Sequence, residues 1–153
     1  MFSPSTCPEC YSLQTSGVTC QEHFHTLLYW ESEIPAYGDI HHLTVLCYHL
    51  QHPSLYSPEG LQSAQKLLVD FLVHGLSPAQ ARRQNKDIVD SGNRQIRITS
   101  RPGLRGSYSV PVHWTMTVAD VVAAGKENYL TSVRAWAGSI LRALQELPPY
   151  PVT

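Results

Sequence analysis

Apolar residues recur every three to four positions over several stretches of this chain, the period of a helix with one buried face. Residues 20–33 place Phe24, Leu27, Leu28 and Glu31 on one such face, and Ile34-Pro35-Ala36-Tyr37-Gly38 breaks it. A second helix is predicted from about Asp39 to Gln51, with Leu43, Leu46, Cys47 and Leu50 as its stripe and Pro53 after it. Ser57-Pro58-Glu59 reads as an N-cap, a proline at the first helical position and an acid in the first turn. Its stripe is Leu61, Ala64, Leu67, Leu68, Phe71 and Leu72, ending at Gly75. Ser77 and Gln80 predict a capping box for a short helix to about Lys86. Thr117 opens another short helix that stops at Gly125. The clearest period runs from about Glu127 to Leu147 through Leu130, Val133, Trp136, Ala137, Ile140, Leu141 and Leu144.

Two stretches lack this period. Residues 1–19 hold Pro4, Pro8, Gly17 and several Ser and Thr, and read as a loop. Between 88 and 116, Ile96 and Ile98 flank Arg97, and Val110, Val112 and Trp114 alternate with Pro111 and His113. This predicts a short extended or β segment around 94–115. The fold class expected is therefore mainly α. Residues 1–153 form one helical bundle, with a metal-binding loop, 1–19, packed on the helical hairpin 20–52.

Composition narrows the picture. A chain of 153 residues, 42% hydrophobic and 15% charged, is long enough to build a core without a metal. No run of about 18 apolar residues occurs, so no membrane span is expected. The opening Met1–Thr6 has neither a basic nor an apolar run, so no secretory signal is expected and the cytoplasm is the expected compartment. Thiols stay reduced there, which favours metal ligation over disulfides for the four cysteines.

Charge is split along the chain. Residues 1–80 carry seven acids and one base, whereas 81–153 carry ten bases and five acids. Seven of those bases fall within the basic stretch 82–105. Such a split can mark a nucleic-acid site. However, 82–105 contains no aromatic residue for base stacking, so attraction between the two halves is the favoured reading.

The cysteines carry the chemistry. Cys7-Pro8-Glu9-Cys10 is a C-x2-C pair whose two-residue spacer lets both sulfurs face one point. Cys20 follows at the start of a helix, where the positive end of the dipole favours a thiolate. Two histidines compete for the fourth position. His23 lies one turn beyond Cys20. His52 ends the second helix, and a linker of about five residues makes the two helices antiparallel, bringing that end beside Cys20. His41 lies about 16 Å away along a helix rising 1.5 Å per residue, too far to share a metal with His52. Cys47 belongs to the apolar stripe and reads as core. The opposite end of the hairpin pairs Glu31 with His41, and Tyr48 falls between His41 and His52 on the same face. These three define a candidate polar pocket, although a polar lock between two helices is favoured over catalysis. Glu22 and His25 form a single E-x-x-H pair, where a di-iron bundle needs two.

Together these residues resemble a family of small, mainly bacterial proteins classified as a domain of unknown function. The likeness covers nearly the whole chain. It rests on Cys7-x2-Cys10, Cys20, Glu31, the run Tyr37-Gly38 to His41-His42-Leu43-Thr44-Val45, and Tyr48-His49-Leu50-Gln51-His52-Pro53. It continues through Thr117-Val118-Ala119-Asp120-Val121 and Val133-Arg134-Ala135-Trp136-Ala137. The family usually carries a further histidine in the helix corresponding to residues 60–73, where this chain has Gln65-Lys66-Leu67. His23 matches no part of the family pattern, so the resemblance implies His52 as the fourth ligand. It implies an architecture and a site, and no reaction.

Three functions follow from these residues. The favoured one is a zinc protein with a structural Cys3His site, acting through an unknown protein or small-molecule partner. An alternative is a metal-dependent enzyme of hydrolase or thiol-transferase type with an open zinc position. A weaker one is an iron–sulfur or redox protein using Cys47 as the fourth thiolate.

Overall fold

Proline and small polar caps punctuate this chain, and the helices start and stop where they stand. The structure, a computed structural model, describes residues 5–14, 17–77, 79–80, 83 and 105–147. Helix α1 spans Cys20–Glu33, α2 His41–Gln51, α3 Pro58–Leu72, α4 Val118–Ala124 and α5 Tyr129–Gln145. Thr19 caps α1 by accepting from the Glu22 amide at 3.2 Å, and Ser57 caps α3 by accepting from the Gly60 amide at 3.0 Å. Thr117 and Asp120 form a capping box at α4, and Gly125 ends that helix at φ 98°, a conformation that favours glycine. Ser77 and Gln80 bond reciprocally, at 2.8 and 3.2 Å, as the capping-box pattern requires.

The result is a mainly α, single-domain helical bundle. Its core gathers around α5, where Tyr129, Val133, Trp136, Ala137 and Ile140 are fully buried. Helix α2 packs against α3 and α5, while α1 packs against α4. Leu27, Leu50, Leu68, Val118 and Val121 complete the centre. Each large apolar side chain removed from water contributes about 1.5–3 kcal/mol, so this core is substantial without any metal.

Three features depart from the expected elements. Residues 35–40 form a 3-10 helix that delays the start of α2 to His41. The N-terminal loop holds a two-stranded antiparallel ribbon, β1 (Ser5–Thr6) with β2 (Leu13–Gln14), pairing Thr6 with Leu13. The expected extended segment lies partly outside the described residues, at 94–104, and residues 105–116 contain no strand. Instead 105–116 packs on the bundle as irregular chain. The Gly106 amide donates to the Tyr56 carbonyl at 2.8 Å, and a Cβ at Gly106 would meet the Pro53 oxygen at 2.8 Å. Glycine is needed there for that close approach. Most of the basic stretch 82–105 and of the short helix expected to about Lys86 also lies outside the described residues. No described helix is long and apolar enough to cross a membrane.

Candidate metal centre

The β1–β2 ribbon closes a tight loop around Cys7 and Cys10. The Cys7 amide donates to the Ser12 carbonyl at 2.9 Å and the Tyr11 amide to the Cys7 carbonyl at 3.0 Å. Tyr11 turns the chain with φ 63°, unusual for a residue with a side chain. The Cys10 amide points at the Cys7 sulfur, 3.5 Å away, and so supports negative charge there. Cys20 is the first residue of α1.

His52 arrives from the far side of the hairpin. Pro53 disfavours helical backbone at His52, and His52 leaves α2 at φ −129°, ψ 66°. Gln51, fully buried, fixes the residue before it. Its Nε2 donates to the Met116 carbonyl at 2.6 Å, and its Oε1 accepts from Trp136 Nε1 at 3.0 Å. The His52 Nδ1 lies 2.6 Å from the Tyr48 carbonyl, which can only accept, so Nδ1 carries the proton. Nε2 is then a bare lone pair. It is buried and has no hydrogen-bond partner among the described residues.

Ligand atoms of Cys7, Cys10, Cys20 and His52 all lie within 4.8 Å of one another. These residues are 5%, 1%, 5% and 6% exposed. The Cys10 and Cys20 sulfurs are 3.5 Å apart. The Cys20 thiol is held well below the usual range, at about 4, chiefly by the Cys10 hydrogen bond. The same bond and burial raise Cys10. One thiolate is therefore stabilised within a shared sulfur–sulfur hydrogen bond, and a cation can replace its remaining proton. An orphaned imidazole lone pair facing three sulfurs fits a soft tetrahedral metal.

Two further groups clasp the centre, and neither was apparent in the sequence. Glu9, inside the C-x2-C pair, accepts from the Ser54 amide at 3.0 Å through its carboxylate and from Trp114 Nε1 at 3.2 Å through its carbonyl. It ties the cysteine loop to the turn after His52. Phe24 stacks on Tyr48 at 4.2 Å, and Tyr48 lies against the His52 ring at 4.3 Å.

The other nominated residues fall elsewhere. His23 is outside the four-residue cluster, and Cys47 is fully buried in the core. Glu31 and His41 meet at the opposite end of the hairpin, with His41 Nδ1 2.7 Å from the carboxylate. Tyr48 does not join them, because its ring is directed to the metal end by Phe24. Tyr129, which the sequence did not single out, does join them by donating to the second Glu31 oxygen.

A helical bundle with a buried Cys3His cluster is a metal-binding type of protein. This chain belongs to the family of unknown function DUF5946, whose model matches residues 5–145. No curated protein and no solved structure matches it.

Proposed function

We propose that Cys7, Cys10, Cys20 and His52 hold one zinc ion in a filled, structural shell, and that the protein acts by binding a partner or ligand. The observation that carries this reading is the bare Nε2 of His52 facing three sulfurs. Three thiolates with one imidazole suit zinc, which takes four such ligands tetrahedrally. Burial of all four donors leaves no evident approach for a substrate, which supports a filled shell over an open one. Cys47 stands outside the cluster, which supports zinc over an iron–sulfur centre needing a fourth thiolate. When bound, the ion would pin the cysteine loop to both ends of the sequence segment that forms the hairpin. Such sites contribute on the order of 10 kcal/mol to folding. The test is elemental analysis of purified protein followed by thermal melts with and without a chelator. One equivalent of zinc and a large fall in melting temperature on its removal are expected. An unchanged melt after complete removal overturns the structural role.

A further inference from the structure

The second polar cluster lies at the other end of the hairpin and is independent of the metal. Four groups form a line from the core to the surface. Thr44 and Tyr129 are fully buried, and their hydroxyl oxygens are 2.6 Å apart. Tyr129 donates to one Glu31 oxygen, and the other Glu31 oxygen lies 2.7 Å from His41 Nδ1. The Glu31 side chain is 8% exposed, whereas that of His41 is 45% exposed. An ionised carboxylate holding both bonds requires His41 to carry its proton on Nδ1. In the neutral ring the opposite nitrogen, Nε2, is then an acceptor.

His41 borders an open cleft of about 480 Å³ that is also lined by Leu28, Glu31, Ser32, Gly38 and His42. Its volume suits a small organic ligand. Among the described residues no Lys or Arg lines it, and Lys126 is engaged by Glu33 at 2.7 Å. Ser32 spends its proton on the Tyr29 carbonyl at 2.6 Å and so offers only acceptor capacity. The lining is thus rich in acceptors, carries the Glu31 charge, and has an apolar wall in Leu28. A carboxylate or phosphate would meet repulsion there.

We propose that this cleft binds a small molecule with a hydrogen-bond-donating head, a hydroxyl or a protonated amine, on a compact apolar body, with His41 Nε2 as the acceptor. The ligand class goes beyond the metal reading and does not depend on it.

The test uses full-length, zinc-replete protein, with zinc content measured for every variant so that failure here is separable from failure of the metal assignment. Benzyl alcohol, benzylamine and benzoate are titrated while the amide resonances of Leu28, Gly38 and His41 are followed by NMR. Saturable shifts with the alcohol or the amine, at a dissociation constant of roughly 1 mM, and none with benzoate are expected. Gly38 lines the cleft and a Cβ there meets nothing within 4 Å, so Gly38→Leu adds bulk at its wall without a clash at Cβ. It is expected to abolish the shifts at unchanged melting temperature. Glu31→Gln is expected to move His41 towards the Nε2–H tautomer, read from its 15N shifts, and to weaken binding about tenfold. Absence of saturable shifts with both the alcohol and the amine, equal binding of benzoate, or full binding by Gly38→Leu overturns the proposal.

Discussion

The Nδ1 of His52 lies 2.6 Å from the carbonyl oxygen of Tyr48, one helical turn earlier, and this bond decides which nitrogen faces the three cysteines. A carbonyl beside a ligating histidine fixes its tautomer and strengthens its lone pair. The backbone of α2 thus orients the imidazole proposed as the fourth donor.

His52→Ala is expected to weaken zinc binding at least 100-fold and to lower the melting temperature, whereas His23→Ala leaves both unchanged. Competition with a chromophoric chelator measures the first and calorimetry the second. A loss from His23→Ala with His52→Ala unaffected would return the fourth position to His23.

Glu9→Ala removes the carboxylate that accepts from the Ser54 amide. Hydrogen bonds to charged groups contribute about 1.5–3 kcal/mol, and outer partners of metal ligands tune affinity 10- to 100-fold. A tenfold faster transfer of zinc to a chelator is expected, with the helical circular-dichroism signal retained. An unaltered transfer rate would show that the clasp is dispensable.

Gln51 bonds Met116 and Trp136 from a fully buried position. Gln51→Ala leaves the indole N–H and the carbonyl unpaired in the core, at about 1–3 kcal/mol for each group. Chemical denaturation is expected to register a loss of about 3 kcal/mol in total. Gln51→Glu is expected to be at least as harmful, because it places a carboxylate against the Met116 carbonyl.

Burial first, and then the Glu31 hydrogen bond, raises the Tyr129 phenol above its ordinary value of 10, and burial raises Tyr56 likewise. A phenol whose folded value is raised contributes stability that is complete below pH 10 and is lost as pH climbs through the folded value. The unfolding free energy is therefore expected to fall steadily above pH 10. Tyr129→Phe is expected to flatten part of that slope in denaturant titrations.

Much of this architecture was legible in the sequence. Caps at Ser57, Ser77 and Thr117 act locally, so their residue types were enough to place them. The antiparallel hairpin followed from a short linker, and it carried both end contacts with it, His52 beside Cys20 and His41 beside Glu31. The parts that were not legible depend on distant partners. Gln51 and Glu9 act on residues 45 to 105 positions away, and no local pattern encodes such reach. Tyr48 lay on the same helical face as His41, but stacking on Phe24 directs its ring to the metal end. The N-terminal ribbon was hidden because two-residue strands are too short to show alternation.

X-ray absorption at the zinc edge of the purified protein reads the coordination shell most directly. Three sulfurs at about 2.3 Å and one nitrogen at about 2.0 Å are the expected result. Four sulfurs, an oxygen in the shell, or protein that takes up no zinc when supplied with it would contradict a filled site built from Cys7, Cys10, Cys20 and His52.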